Sequence, residues 1–202
     1  MDDSVKIALY GPPGSGKSSA AGILEDYCGA IGLPCAVIKL ADPLYEAQSA
    51  VYRIAGANLD DFYQKDGELL NSLGRHMRRI NPMLLHDRFL ARLHDVRSAL
   101  GDAPSLVVCD DMRFPDHVFM RSIGFTLVRV FAPDEVCLSR RRERGDLSLA
   151  SPTHVTENNL HVIEPDGSID NSGTFPALRR SVIETLEKAL GASASESRCR
   201  RG

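Results

Sequence analysis

Short apolar runs alternate along the chain with longer segments of helical periodicity. The runs "VKIALY" (5–10), "PCAVIKL" (34–40), "SLVVCDD" (105–111) and "FTLVRVFA" (125–132) are rich in β-branched residues. Strands that are covered by helices on both faces show this near-continuous apolar pattern. The alternation therefore predicts an α/β fold with a mostly parallel sheet.

A long interval separates the second and third predicted strands, and it exceeds what a simple crossover needs. It contains three segments of helical pattern, "DPLYEAQSAVYRIAG", "DDFYQKDGELLNSLGRHMRRI" and "NPMLLHDRFLARLHDVRSAL". Asn81-Pro82 has the residue types of a helix cap and first turn for the third segment. We expect a helical insertion over about residues 42–100 that binds a second substrate.

The remaining chain predicts a lid, a closing helix and a tail. The arginine-rich segment "DEVCLSRRRERGDLS" predicts a helix that leads into a polar loop, a short lid over about residues 140–158 with a hinge at Gly145-Asp146. "TFPALRRSVIETLEKAL" predicts an amphipathic last helix. We therefore expect a single domain over residues 1–191 and a flexible tail over 192–202.

The stretch "GPPGSGKSS" follows the first predicted strand and precedes a helical pattern, with the spacing G-x-x-x-x-G-K-[ST]. In that context backbone N–H groups cradle phosphate oxygens, the lysine reaches the β and γ phosphates, and the following serine ligates Mg²⁺. The N-terminus of the next helix adds a favourable field for anions. The predicted phosphate-binding residues are Gly11, Gly14, Ser15, Gly16, Lys17, Ser18 and Ser19.

Polar residues follow the second and third predicted strands, and ligands of open α/β sheets bind beyond the carboxyl ends of strands. The second strand leads into Lys39 and Asp42, and the third into Asp110, Asp111 and Arg113. A carboxylate at such a position can complete a Mg²⁺ site or cap the next helix. The two aspartates point in opposite directions if the strand geometry continues, and both qualify as the metal-binding residue.

Several arginines have the charge that phosphoryl transfer requires around the moving group. Arg140 and Arg144 share one helical face, so we predict that they close over the site, whereas Arg141 and Arg142 fit a solvated face equally well. Phosphate binding favours the fork-shaped guanidinium group. The insertion supplies candidates for a second anion, namely Lys65, Asp66, Arg75, Arg78 and Arg79, of which Arg75 and Arg79 share a face.

Composition narrows the possible partners. The net charge of −3 over 202 residues gives no electrostatic footprint for a nucleic acid polymer. No apolar run approaches the length of about 20 residues that spans a bilayer, and "MDDSVK" is not a signal peptide. The five cysteines form no C-x-x-C pair, which favours reduced thiols in the cytoplasm, and the histidines show no metal-ligand spacing.

Beyond the glycine-rich loop, several motifs together resemble the phage-type deoxynucleoside monophosphate kinases. "LADPLYEA" is similar to the exit of their second strand, and "KDGELLNSLGRHMRRINP" is similar to their leucine-rich run with a glycine and an arginine. "DDMRFPDH" resembles their aspartate-x-arginine-phenylalanine motif. "HVTENNL" and "GSIDNSGT" resemble their late elements, and all the pieces occur in the family's order between residue 5 and about residue 190.

The resemblance implies a three-layer α/β/α P-loop kinase fold. It also implies transfer of the γ-phosphoryl group of ATP, with Mg²⁺, to a (deoxy)nucleoside 5′-monophosphate. Lys17, Arg113, Arg140 and Arg144 are then expected to be catalytic, with Ser18 and Asp111 as metal ligands and Asp110 as the alternative. The expected acceptor-binding residues are Lys39, Asp42, Lys65, Asp66, Arg75, Arg79, Arg113 and Glu157. His154 is expected near the cleft, and Asn171 and Gly173 near the donor nucleoside; a homodimer is compatible with the sequence.

Departures from the family pattern leave the chemical identity of the acceptor undecided. Arg75 and His76 stand where the family usually has threonine and glutamate, and Arg78 stands where it often has glycine. A modified nucleotide, or another phosphorylated metabolite as in the similar animal-type phosphomevalonate kinases, is the alternative acceptor. A GTPase switch is disfavoured because the chain has no N-K-x-D stretch, and a nucleic-acid motor because the chain is short and not basic.

Overall fold

The computed structural model describes residues 4–101, 103–148 and 159–199, with side chains as far as residue 191. Within these residues five parallel strands form one sheet in the order β2-β3-β1-β4-β5. The strands are β1 (Val5–Tyr10), β2 (Cys35–Ile38), β3 (Leu106–Cys109), β4 (Thr126–Phe131) and β5 (Gly167–Asp170). The four apolar runs thus form parallel strands as predicted, whereas β5 has mostly polar residues and was not anticipated.

Helices connect the strands and cover the sheet. They are α1 (Lys17–Ile31), α2 (Asp42–Ile54), α3 (Gly67–Ile80), α4 (Leu84–Leu100), α5 (His117–Ser122), α6 (Asp134–Glu143) and α7 (Phe175–Cys199), with a 3₁₀ turn at Leu160–Val162. Three of them, α2 to α4, occupy the long interval between β2 and β3. None of the described helices has the length and apolar character to cross a membrane.

Two helix boundaries differ from the sequence expectations. Asn81-Pro82 lies between α3 and α4 rather than inside α4, and the Asn81 side chain accepts a hydrogen bond from the Met83 N–H at 3.0 Å. The last helix runs to Cys199, into the segment for which the sequence predicts a flexible tail. Alanine and glutamate in that segment favour continuation of a helix over an irregular chain.

Each face of the sheet has its own apolar core, because successive strand residues point to opposite faces. Ile7 and Leu9 of β1 pack in the cluster that includes buried residues of α1 and α7. Ala8 and Tyr10 pack in the cluster that includes Leu85 and other buried residues of α4. The result is three layers, and the carboxyl ends of β1, β2 and β3 meet at one edge of the sheet.

Candidate active site

The glycine-rich segment between β1 and α1, residues 11–18, is the phosphate-binding loop of the sequence analysis. Gly14 and Gly16 adopt φ angles of 86° and 99°, which favour glycine. A Cβ atom would lie 2.2 Å from the Cys137 carbonyl oxygen at Gly14 and 2.1 Å from the Asn171 amide nitrogen at Gly16. The loop therefore requires these glycines, because it is packed closely against α6 and the residue that follows β5.

Lys17 is the first residue of α1, and only 9% of it is exposed. Its ammonium group donates hydrogen bonds to the carbonyl oxygens of Gly11 at 2.8 Å and Pro12 at 3.0 Å. The loop thus surrounds the positive charge of the ammonium group. This is the place from which a lysine can contact phosphate groups bound by the loop N–H groups.

Asp110, rather than Asp111, is the carboxylate beside the loop serine. Ser18 Oγ donates to Asp110 Oδ2 at 2.8 Å, and Lys39 forms an ion pair with Asp110 Oδ1. Asp111 instead accepts hydrogen bonds from the backbone N–H groups of Leu40 at 2.8 Å and Ala41 at 3.0 Å. Asp110, the alternative metal-binding candidate, thus lies beside Ser18. Asp111 connects the segment after β2 to the segment after β3 by hydrogen bonds.

The register of the sheet explains this arrangement. Ile38 of β2 pairs with Cys109 of β3, so that the next residues along each strand, Lys39 and Asp110, come side by side. Burial acts to lower the pKa of Lys39, but the adjacent Asp110 carboxylate more than offsets it, and the pKa is raised. Burial raises the pKa of Asp111, and the Asp110 charge adds to that effect.

One cavity of about 960 Å³ extends from the phosphate-binding loop to the helical insertion. A pocket of this size lies at the upper end of the range for small-molecule sites. The predicted site residues that line it are Gly14, Gly16, Lys17, Ser18, Ser19, Lys39, Lys65, Arg75, Asp110, Asp111, Arg113, Arg140 and Arg144. Gly11 and Ser15 belong to the loop behind this wall.

Three cations form a positive cluster in the cavity wall, namely Lys65, Arg113 and Arg144. Burial lowers the pKa of Lys65 to about 8, and the charges of Arg144 and Arg113 contribute to the shift. Arg144 also forms a two-pronged ion pair with Asp146, with nitrogen–oxygen distances of 2.7 and 2.6 Å. Asp146 and Asp111 offset part of this charge, and the excess of positive charge that remains is suited to bind an anion.

One face of α3 lines the cavity, and Arg79 is not among the residues of that face. Asn71, Gly74, Arg75 and Arg78 line the cavity, with the i, i+3, i+4, i+7 spacing of one helical face. Arg79 lies one residue further round the helix, is exposed and does not line the cavity. Arg79 is therefore not part of the cavity wall, and Arg78 lies at the wall in its place.

Two further predicted acceptor-binding residues, Asp42 and Asp66, do not line the cavity. Asp42 starts α2 and accepts a hydrogen bond from the Tyr63 hydroxyl at 3.0 Å. Asp66 is the N-cap of α3, where its side chain accepts from the Leu69 N–H at 3.1 Å. Asp66 also accepts from the hydroxyl groups of Tyr52 and Ser148. These contacts give both aspartates structural roles.

The segment that follows α6 is hydrogen-bonded to the start of α3. The Leu147 N–H donates to the Lys65 carbonyl at 2.8 Å, and the Gly67 N–H donates to the Ser148 carbonyl at 3.2 Å. Ser148 Oγ accepts from the Glu68 N–H at 2.9 Å and donates to Asp66. These bonds connect the described part of the predicted lid to the insertion.

Replacing Asp66 by alanine is expected to lower the free energy of unfolding by about 1 kcal/mol, because α3 loses its N-cap. The backbone bonds to residues 147 and 148 are also expected to open more often, since Ser148 loses a side-chain partner. Thermal unfolding and amide hydrogen exchange measure the two effects. Asp95→Ala, at an exposed aspartate of α4, is the control. Unchanged stability and unchanged exchange at Leu147 and Gly67 would contradict the role given to Asp66.

Asn171 connects the phosphate-binding loop to the arginine helix α6. Its side-chain amide nitrogen donates to the Ser15 carbonyl oxygen at 2.8 Å, and its backbone carbonyl oxygen accepts from Arg140 Nη2 at 3.3 Å. Arg140 Nη1 is buried and, among the described residues, has no hydrogen-bond partner. Asn171 and Gly173 do not line the cavity, so Asn171 positions the loop. Glu157 and His154 lie outside the described residues.

Four residues of the cavity wall are not among the predicted site residues. Tyr45 and Tyr63 line the cavity, with ring centres 5.1 Å apart, and Lys39 Nζ lies 5.1 Å from the centre of the Tyr63 ring. Asn71 and Asp116 also line it. The helical spacing of Asn71 with Gly74 and Arg78 was a signal for one of them, but no pattern in the sequence indicates that Asp116 is a partner of Arg78.

Comparison with known proteins gives no family model and no curated protein that matches the chain. Solved structures do match. TT1252 from Thermus thermophilus is 19% identical over 92% of this chain and 97% of that chain, with a TM-score of 0.52. The Mycobacterium tuberculosis APS kinase CysC, solved with AMPPNP and APS, is 18% identical over 91% and 98%, with a TM-score of 0.54. Shikimate kinase from Acinetobacter baumannii, solved with shikimate, is 16% identical over 93% and 94%, with a TM-score of 0.50.

These likenesses concern the fold. The fold of this chain, a five-stranded parallel sheet with helices on both faces, matches the APS kinase and the shikimate kinase over nearly the whole length of those chains. The sequence identities are below 20%, and fold alone does not determine the substrate. The chain therefore shares the α/β fold of the APS kinase and the shikimate kinase.

Proposed function

We propose that the protein is an ATP-dependent kinase. It transfers the γ-phosphoryl group of ATP to the 5′-phosphate of a (deoxy)nucleoside monophosphate and forms ADP and the (deoxy)nucleoside diphosphate. One observation carries the proposal: the phosphate-binding loop and the positive cluster of Lys65, Arg113 and Arg144 line the same cavity. Two anionic substrates can thus be brought together in a single space.

The donor is bound at the loop end of the cavity. The backbone N–H groups of Gly14, Gly16 and Lys17 and the N-terminus of α1 supply partial positive charge for the phosphates of ATP, whereas the prolines at positions 12 and 13 have no N–H. Lys17 lies at the wall of this end and is placed to neutralise charge on the β and γ phosphates. Asn171 keeps the loop in its conformation through the Ser15 carbonyl.

Ser18 and Asp110 fit a Mg²⁺ ion, because hydroxyl and carboxylate oxygens are ligands that this cation takes. Among the described residues no group of three or more His, Cys, Asp or Glu side chains is placed to hold a metal. We therefore assign Ser18 and Asp110 to an ion that is shared with the phosphates of ATP. When bound, Mg²⁺ supplies neutralisation of the phosphate charge. Lys39 adds a fixed positive charge beside Asp110.

The acceptor phosphate is placed at the positive cluster. A phosphate dianion needs no strong general base, so the task of the protein is to overcome repulsion between two anions and to align them. Arg113 and Lys65 supply positive charge there, and Arg144 lies on the helix-to-lid segment. Burial and the neighbouring arginine charges lower the pKa of Lys65. An anion that binds between these cations offsets the repulsion among them.

Polar and aromatic groups line the insertion side of the cavity, where the nucleoside would bind. Tyr45 and Tyr63 offer ring surfaces, and Asn71 offers an amide that can donate and accept hydrogen bonds. The preference for a deoxynucleotide rests on the resemblance of the second strand exit and the leucine-rich run. Arg75 and Arg78 also line this side, in place of residues that the family usually has.

Binding of the acceptor is expected to weaken as the pH rises through about 8. Lys65 is protonated below that value and neutral above it, whereas the acceptor phosphate keeps its charge over the same interval. The KM for the acceptor, measured from pH 7 to pH 9, is therefore expected to rise in the native protein. In Lys65→Met the acceptor KM is expected to be high and nearly independent of pH. In the control Lys188→Met, at an exposed site, the acceptor KM is expected to follow that of the native protein. Equal pH dependence in all three proteins would contradict the assignment.

A panel of acceptors tests the proposal. ADP release is measured with ATP and Mg²⁺ against the ribo- and deoxynucleoside 5′-monophosphates, a hydroxymethylated pyrimidine nucleotide and mevalonate 5-phosphate. We expect ADP formation that depends on a nucleoside monophosphate, with the corresponding diphosphate as the second product. Release with mevalonate phosphate alone would instead support a metabolite kinase, and GTP hydrolysis without any acceptor would support a switch protein.

A further inference from the structure

Asp116 lies just before α5, and only 2% of its side chain is exposed. Its Oδ2 accepts a hydrogen bond from Arg78 Nη2 at 2.7 Å, and its Oδ1 lies 3.0 Å from His86 Nε2. A buried carboxylate is costly unless it has such partners. The resulting Arg78–Asp116–His86 cluster joins α3, α4 and the segment that follows β3.

Arg78 is part of the cavity wall although it is held by this ion pair. About 29% of its side chain is exposed, and it lines the cavity beside Gly74, where a Cβ atom would lie 3.6 Å from Arg78 Nη1. The bond to Asp116 uses Nη2, and a guanidinium group carries five N–H donors in a fixed planar arrangement. The ion pair can thus orient the group without consuming its capacity to bind a ligand.

The turn that contains Asp116 also presents Arg113. The Asp116 N–H donates to the Arg113 carbonyl at 2.8 Å, which closes the turn over residues 113–116. Arg113 lies in the positive cluster, whereas the Asp116 side chain reaches Arg78 of the insertion. One turn therefore holds both arginines on the cavity wall, one directly and the other through the ion pair.

Fixing Arg78 before the ligand arrives has an energetic consequence. A free arginine side chain samples many rotamers, and a ligand would otherwise have to remove that freedom on binding. The buried Asp116 restricts the guanidinium in the absence of any ligand. Arg79, its exposed neighbour outside the cavity, provides a natural comparison within the same helix.

We propose that Asp116 is a positioning residue for acceptor recognition: its carboxylate holds Arg78 against the cavity so that the guanidinium group binds the acceptor. This inference rests on the proposed function, since it requires an acceptor on the insertion side of the cavity. It adds a residue that the sequence motifs do not assign to any role in the site.

A mutant cycle tests the proposal kinetically, with Asp116→Asn, Arg78→Met, the double variant and the matched control Arg79→Met. Each is assayed with ATP and the four common deoxynucleoside 5′-monophosphates. We expect Asp116→Asn to raise the acceptor KM about tenfold or more while the ATP KM stays within about twofold. In the Arg78→Met background the same change is expected to have no further effect, because the group that it positions is gone. Arg79→Met is expected to leave both KM values unchanged.

A second readout needs no acceptor. Phenylglyoxal modifies arginine side chains, and peptide mass spectrometry gives the rate at each site. We expect Asp116→Asn to increase the modification rate of Arg78 severalfold and to leave that of Arg79 unchanged. If the asparagine variant does not fold, Asp116→Glu keeps the buried charge and is expected to show the same dependence on Arg78.

The two readouts separate this proposal from the function that it rests on. If no nucleoside monophosphate is phosphorylated, the proposed function fails, and the labelling still reports whether Asp116 holds Arg78. A rise in acceptor KM of equal size in both Arg78 backgrounds would show a merely structural role and overturn the proposal. Unchanged labelling of Arg78 in Asp116→Asn would overturn it as well.

Discussion

Replacing Lys17 by alanine is expected to lower kcat by about a thousandfold or more while the protein remains folded. The ammonium group is held inside the phosphate-binding loop by the carbonyl oxygens of Gly11 and Pro12. From there it is placed to stabilise charge that develops on the γ-phosphoryl group, and removal of one such preorganised donor typically costs a hundred- to a thousandfold. Lysine adds a full positive charge to that contact, so we expect kcat to fall by at least the thousandfold at the upper end of this range.

The measurement is kcat with the best acceptor of the panel, together with the melting temperature. Lys188→Ala, at an exposed site on α7, is the control. A transition-state contact lowers kcat and kcat/KM together, whereas a contact made equally in the ground state raises KM alone. A Lys17→Ala protein that is folded and retains its kcat would exclude the proposed role of the loop.

Replacing Asp110 by asparagine is expected to lower kcat by about a hundredfold or more and to weaken the activation by Mg²⁺. The substitution keeps the size of the side chain and removes the charge beside Ser18. Because Asp110 also pairs with Lys39, the variant leaves a positive charge where the native protein has a neutral pair. Both changes disfavour a divalent cation at this position.

Asp111→Asn is the matched variant, one residue along the same chain segment. Its carboxylate accepts two backbone hydrogen bonds, from Leu40 and Ala41, and an amide can replace only one of them. We expect a loss of about 1–3 kcal/mol in the free energy of unfolding, with the Mg²⁺ dependence retained. If Asp111→Asn lost its Mg²⁺ dependence and Asp110→Asn kept it, the assignment of the two aspartates would have to be reversed.

The sequence predicted the sheet and the phosphate-binding loop because both depend on local patterns. The four apolar runs correspond to β1 to β4, and the loop lies between β1 and α1. The fifth strand was missed because only Ile169 in "GSID" is buried, so the segment has no apolar pattern. Its place at the edge of the sheet depends on pairing with β4, which is a contact between distant parts of the chain.

The differences between the predicted and the observed positions of site residues concern residues that are neighbours in sequence. Asp110 and Asp111 were both candidates, and the parallel register of β2 and β3 decides between them by placing Lys39 beside Asp110. The choice of Arg79 over Arg78 followed a motif by position, but the cavity is lined by the face of α3 that contains Asn71, Gly74 and Arg78. Register and helix phase are set by tertiary packing, so a single sequence could not supply them.

The proposed function requires one cavity to hold the triphosphate of ATP and the acceptor phosphate at the same time. The most direct measurement is calorimetric titration with a bisubstrate analogue, in which adenosine and the nucleoside of the best acceptor are joined by five phosphates, in the presence of Mg²⁺. We expect one analogue to bind per chain, more tightly than ATP or the monophosphate, and to displace both. Binding that displaces only one of the two substrates, or two analogues per chain, would contradict the shared cavity.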